Sequence, residues 1–263
     1  MSDSPVAVVA GVIWVYVSLV YGVALLKKRN DLADIAWGPG FMIGAFALFV
    51  ALNQRTREGV LILALVSIWA LRLSTYIYSR NRGHEEDFRY QNWRREWGKS
   101  TWWRSYLQVF LLQGVILVAV GLPVWYGVLL ECDSWGFLTF AGIFLWGAGL
   151  GCEAIADGQM AAYRQIKAQN PTRVPRVMST GLWKYSRHPN YFGESLLWWG
   201  LFTVCVSFGA PVWTVVGPLL MTFLLVKVSG VPMLEQKYSG NPDYQRYCET
   251  TSSFIPWIPK RFS

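Results

Sequence analysis

Seven apolar runs, at roughly 5 to 26, 36 to 52, 59 to 79, 106 to 128, 135 to 156, 191 to 208 and 211 to 230, approach the ~20 residues a helix needs to cross a bilayer. In hydrocarbon each such run must close its own backbone hydrogen bonds, which a helix does internally. Hydrophobic side chains make up 53% of the 263 residues and charged ones only 15%, too apolar a balance for a soluble domain of this length. The expected fold is all-α, a single transmembrane domain over 1–263 built as an integral membrane bundle of about seven helices. The second run is short, and Phe208-Gly-Ala-Pro211 barely separates the last two, so six spans is the alternative count.

Orientation follows from Lys and Arg. With the N-terminus outside, 21 of the 24 basic residues fall in loops on the opposite side, including Lys27-Lys28-Arg29, the groups from Arg80 to Arg104 and from Arg164 to Arg187, and those from Lys227 to Arg261. Arg55 and Arg57 fall outside and Arg72 lies within a span. The positive-inside rule then places the C-terminus of this multi-pass chain in the cytoplasm. The net charge of +8 is largely topological, attracts anionic headgroups or ligands to that face, and gives a nucleic-acid partner no independent support. No protein partner is indicated.

The first run has no positive leader and no small-residue cleavage site, so it reads as a retained anchor. Cys132, Cys152, Cys205 and Cys248 include no Cys-x-x-Cys pair and read as packing residues or free thiols. Two histidines, His84 and His188, are too few for a histidine-rich di-iron site, and no metal is expected.

Two cytoplasmic pieces, 80–105 and 157–190, mix basic and aromatic residues. Asp87-Phe-Arg-Tyr-Gln-Asn-Trp-Arg-Arg-Glu-Trp97 has the aromatic spacing of an interfacial helix. The second piece continues the fifth span and should break at Asn170-Pro171 and Pro175, because proline cannot continue the helical ladder.

Polar residues gather at the cytoplasmic span ends. Asp34 opens the second span, Arg72 and Tyr76 share a face of the third at i and i+4, and Glu153 and Asp157 end the fifth. Glu194 opens the sixth and Lys227 closes the seventh. Glu153, Asp157 and Arg164 form a stripe able to serve a ribose and its phosphates, or else to neutralise one another and nearby bases. Arg187 and His188 precede the sixth span, where Arg187 could grip a phosphate bidentately or touch headgroups, and His188 could simply cap the helix. Gly147-Ala-Gly-Leu-Gly151 superficially resembles a dinucleotide loop, yet it sits inside an apolar span with no strand-turn-helix context, so close helix packing is its expected purpose.

Together, Asp34-Ile-Ala-Trp-Gly38, Leu71-Arg-Leu73, Asn81-Arg-Gly83, Tyr185-Ser-Arg-His-Pro-Asn-Tyr-Phe-Gly-Glu194 and Phe254-Ile-Pro256 resemble the steroid 5α-reductase family, in particular its bacterial membrane-protein branch, most specifically over 150–258, which implies a bacterial inner membrane. The resemblance implies a cytoplasm-facing pocket for NADPH and reduction of an activated carbon–carbon double bond in a lipophilic substrate. It carries cofactor contacts onto Asp157, Arg164, Asn190 and Glu194, matches Arg72 and Tyr76 to an Arg and a Tyr of its corresponding helix, and sets Lys227 at a basic position. Lys184, Tyr185, Arg187, His188 and Tyr191 of the motif, with Arg72 and Glu153, complete the expected cofactor set. Steroid-reducing members carry Gln-Glu where this chain has Ala33-Asp34, and a substrate-polarising tyrosine where it has Trp69, departures that bear on a 3-ketosteroid substrate rather than on the framework.

The expected chemistry is hydride delivery beta to a carbonyl, with Asp34 or Tyr76 stabilising the enolate oxygen. Arg187-His-Pro-Asn-Tyr191 followed by an acid also resembles S-adenosylmethionine-dependent membrane methyltransferases of the isoprenylcysteine and phospholipid type, the alternative function. A transporter or lipid-binding module would show paired broken helices or repeat symmetry, and neither is present.

Overall fold

A computed structural model of the chain describes residues 4–51, 56–170, 172 and 175–260, so Arg55, Pro171, Arg173 and Arg261 lie outside the described residues. The helices are α1 Pro5–Lys27, α2 Leu32–Ala51, α3 Arg57–Asn81, α4 Phe88–Trp97, α5 Thr101–Arg104, α6 Leu112–Val120, α7 Leu122–Gly127, α8 Phe137–Gln169, α9 Pro189–Ser207, α10 Val216–Phe223, α11 Val231–Tyr238 and α12 Pro242–Thr250. Among the described residues there is no strand, only an isolated bridge between Ser186 and Ser252.

Six helical runs are long and apolar enough to cross a membrane: Pro5–Lys27, Leu32–Ala51, Arg57–Asn81, Phe88–Val120, Phe137–Gln169 and Val212–Gln236. The chain is therefore a multi-pass helical membrane protein. The run expected at 191–208 forms α9, a 19-residue helix outside those six, with Asn190 and Glu194 in its first turns. The aromatic stretch 87–97 forms a helix of its own, α4, between the Asp87 N-cap and Gly98. It continues through a 3-10 turn and α5 into π-helical turns at Ser105–Leu111 and then α6. α8 runs on to Gln169, ending where the sequence places its break.

The chain divides into two compact units, residues 1–139 with 204–217, and residues 140–203 with 218–263. In the first, α2 carries Pro39 in its interior. Lacking an N–H, Pro39 leaves the Ile35 carbonyl without its helical donor, and Ser74 Oγ of α3 donates to it at 2.9 Å. That bond requires close helices: a Cβ on Gly38 would lie 2.8 Å from the Ala70 carbonyl oxygen. Phe41 packs edge-on to Trp37 and Trp69 and stacks on Trp125 at 6.2 Å. Trp69 is thus a buried core side chain.

At the other end of α3, Thr56 caps the helix by accepting from the Gly59 N–H, and it donates to the Leu130 carbonyl. Fully buried Glu58 accepts from Arg57 Nε at 2.7 Å and Trp135 Nε1 at 2.9 Å.

In the second unit α8 and α9 meet backbone to backbone. A Cβ on Gly149 would sit 2.5 Å from the Leu197 nitrogen, on Gly193 2.6 Å from the Glu153 nitrogen, and on Gly200 2.4 Å from the Trp146 nitrogen. Of the Gly147-Ala-Gly-Leu-Gly151 run only Gly149 makes this contact, since added methyls at Gly147 and Gly151 meet nothing. Close helix packing, which the apolar context of the run predicts, therefore falls to Gly149 alone.

Candidate functional site

The acid that opens α2 is held by residues from the start of α4. Asp34 Oδ2 accepts from Arg89 Nη2 at 2.7 Å, and Asp34 Oδ1 accepts from the Tyr90 hydroxyl at 2.6 Å. Arg89 also reaches Asp87, the N-cap of α4, and Gln113 Nε2 lies 3.4 Å from the Tyr90 hydroxyl. Burial works to raise the Asp87 carboxyl, but hydrogen bonds and charge from Arg89 outweigh it and hold that group below its ordinary value. Close by, Arg94 pairs with Glu86, Glu86 accepts from the Asn30 N–H, and Arg29 and Asn81 both reach Asp31.

Sequence reasoning named Asp34 but missed Arg89 and Tyr90, whose segment read as interfacial. The available signal was an acid in the first turn of an apolar span, which needs a cationic partner. Arg72 and Tyr76 lie one turn apart on α3, both half-buried. Beside Ala33 and Gln113 is a small apolar cavity of about 20 Å³, room for one water-sized guest, walled also by Tyr16, Trp37 and Phe110.

The second unit carries the remaining candidates. Glu153 and Asp157 are buried one turn apart on α8, and Asn190 and Glu194 stand one turn apart on α9. The tight crossing at Gly193 brings these helices together, and Asn190 Nδ2 donates to Asp157 Oδ1 at 3.2 Å. The Asn190 Oδ1 is buried with no hydrogen-bond partner. Arg164, Lys184, Tyr185 and Lys227 are exposed, and Tyr191 is half-buried.

Arg187 is committed to its own chain. Its Nε and Nη2 hold Glu235 Oε1 at 3.0 and 2.5 Å, while Nη1 donates to the carbonyls of Cys248 and Thr251. Burial acts to lower this guanidinium, and the Glu235 hydrogen bond and charge reverse that, so it stays cationic above its ordinary value. Neighbouring bonds bind the same C-terminal segment. The Arg187 N–H donates to Ser252, Ser186 Oγ to the Phe254 carbonyl, and the Trp257 N–H to the Tyr185 carbonyl. The Tyr247 hydroxyl donates to the Trp183 carbonyl. The Phe254-Ile-Pro256 signature thus lies in a segment whose Ser252, Phe254 and Trp257 are hydrogen-bonded to Arg187, Ser186 and Tyr185, a pairing invisible in the linear chain.

His188 is 2% exposed, stacks on the Tyr191 ring at 5.5 Å, and has Nε2 3.6 Å from Glu235. Neither ring nitrogen has a hydrogen-bond partner. Desolvation pulls its pKa down to about 4 against the opposing pull of Glu235, so the ring is neutral.

A family described as Protein of unknown function (DUF1295) matches residues 20–251. The chain belongs to that family. The match takes in every candidate from Asp34 to Lys227 and stops before the Phe254-Ile-Pro256 segment. An uncharacterized protein of Schizosaccharomyces pombe is similar at 24% identity over 269 residues, covering 91% of this chain and 76% of that protein. No solved structure matches.

Proposed function

We propose that this chain is a membrane-embedded, NADPH-dependent reductase of an activated carbon–carbon double bond in a lipophilic, steroid- or isoprenoid-like substrate. The observation that carries the reading is Asn190, whose amide nitrogen is spent on Asp157 while its Oδ1 is buried without a donor. An unmet buried acceptor costs about 1–3 kcal/mol, a cost that a carboxamide or ribose hydroxyl donor would remove. Buried Glu153, Asp157 and Glu194 are acceptors suited to ribose hydroxyls, and the resemblance to steroid 5α-reductases assigns cofactor contacts to Asp157, Asn190 and Glu194. On this donor and acceptor chemistry the residues fit a dinucleotide.

NADPH, when bound, supplies the hydride. Arg164 and Lys227 are the cations assigned to its phosphates. Arg187, engaged with Glu235 and the C-terminal carbonyls, is a positioning residue that fixes the start of α9. Asp34 has both oxygens occupied, so it positions Arg89 and Tyr90. Stabilising the developing enolate charge is assigned to the Tyr76 hydroxyl. We read the basic side as cytoplasmic, with the N-terminus outside, as in a bacterial inner membrane.

Binding tests the reading. Full-length protein in nanodiscs is titrated with NADPH, NADH and S-adenosylmethionine while tryptophan quenching is followed. NADPH should bind, and Asn190→Ala should weaken it about tenfold, the equivalent of one buried hydrogen bond. Binding of S-adenosylmethionine without NADPH would instead make the chain a methyltransferase and end the proposal.

A further inference from the structure

The C-terminal segment after α12 is neither helix nor span, yet it turns its largest apolar side chains outward. Ile255, Trp257 and Ile258 are 60, 71 and 78% exposed, while Phe254 between them and the bundle faces inward, edge-on to Phe192 at 5.8 Å. The segment is not loose. Ser252, Phe254 and Trp257 are hydrogen-bonded to Arg187, Ser186 and Tyr185, and the Lys260 N–H returns to the Thr250 carbonyl at 2.9 Å. A rigid backbone therefore holds three large apolar groups away from any protein surface, an arrangement that marks a binding face.

Its place and composition identify the occupant. The bonded residues 185–187 precede His188 and Pro189, the first residue of α9, so the segment lies at the start of that helix. Tyr185, 43% exposed, accepts from the Trp257 N–H, and Lys184 Nζ lies 5.9 Å from the Tyr185 ring. Lys260 is exposed at the other end, and residues 251–260 contain no acid. Trp and Tyr with flanking Lys is the composition that settles at the boundary between lipid tails and headgroups. A second copy of the chain meeting this segment with its own residues 251–260 would offer no acid to Lys184 or Lys260.

We propose that Tyr185, Ile255, Trp257 and Ile258 form a surface anchor that inserts into the headgroup boundary of the bilayer, and that Lys184 and Lys260 bias it toward anionic lipids. Through Arg187 the anchor is fastened to Glu235 and to the carbonyls of Cys248 and Thr251, which makes it a fixed part of the fold rather than a tether. This inference does not require the reductase activity, but it gives Lys184 and Tyr185 a lipid contact in place of the cofactor contact that the sequence assigned them.

The test uses the full chain in vesicles of phosphatidylcholine with or without phosphatidylglycerol. A small fluorophore is attached in separate variants, Ile258→Cys and Trp257→Cys, with labelling of the four native cysteines measured on the parent chain and subtracted. Lipids bearing a nitroxide near the headgroup should quench the label more than lipids labelled at the chain end. Iodide from the water phase should quench it less than it quenches free dye, as expected of a group at the headgroup level. Phosphatidylglycerol should lower iodide access further, and Lys184→Gln with Lys260→Gln should remove that extra protection while the phosphatidylcholine signal stays. Free access of iodide at both positions, or protection that depends on the ratio of protein to lipid, would overturn the anchor. An undiminished phosphatidylglycerol effect in the charge variant would overturn the headgroup preference.

Discussion

Gly193 and Gly147 look alike in sequence and differ sharply in consequence. A methyl on Gly193 would strike the Glu153 nitrogen and the Gly149 carbonyl, neither of which can turn aside, whereas one on Gly147 meets open space. Gly193→Ala should lower stability by about 1–3 kcal/mol through overpacking, and Gly147→Ala should be neutral or slightly stabilising, as thermal unfolding in one detergent would show. His188 gives a prediction in pH. Its folded pKa of about 4 lies below the unfolded ~6.5, so the unfolded chain binds more protons between these values. The neutral ring's contribution is complete above ~6.5 and lost as pH falls toward ~4, a change on the order of 3 kcal/mol. His188→Gln should flatten that part of the unfolding profile. At Asp34, Arg89→Leu removes the cation and should destabilise by about 3–5 kcal/mol, much of which Arg89→Leu with Asp34→Asn should restore. The residue types in these pairs were visible in the sequence, but the partnership of Asp34 with Arg89 was not, because 55 positions separate them.

α2 shows how an element tolerates a residue that should break it. Pro39 removes one helical hydrogen bond, and the bare Ile35 carbonyl is recovered by Ser74 from α3. Ser74→Ala should therefore cost about 1 kcal/mol in the native chain. Restoring the backbone donor with Pro39→Ala should make the same change nearly neutral, and a double-mutant cycle of unfolding free energies reads the difference directly. The apolar runs specify the helices themselves, since their length and composition leave little other choice in hydrocarbon. The course of α4 into α6 was not legible, because Gly98, at φ 50°, turns the chain without ending the helical run. Aromatic periodicity in 87–97 gave the helix but not its continuation.

For the molecule as a whole, the C-terminal segment is the part whose attachment is easiest to test. Arg187 holds Glu235 and two backbone carbonyls at once, which Lys cannot reproduce with a single ammonium. Arg187→Ala and Arg187→Lys should both speed trypsin cleavage at exposed Arg246, the first about tenfold, the loss expected from removing a charge-assisted bond. Mass spectrometry of the fragments checks this. Unchanged cleavage would mean that the Ser186, Tyr185 and Tyr247 bonds suffice to keep the segment in place.

By itself the sequence determined that the chain is a helical membrane protein, roughly where its spans run, and that Gly147–Gly151 lies within an apolar helix. These properties follow from local length, hydropathy and context, which need no knowledge of distant neighbours. Only the tertiary structure decided which polar groups meet. It gave Asp34 to Arg89 and Tyr90, Asp157 to Asn190, and Arg187 to Glu235 and the C-terminal carbonyls. A buried charge takes whichever partner the packing brings within about 3 Å, and packing depends on contacts between residues far apart in the chain.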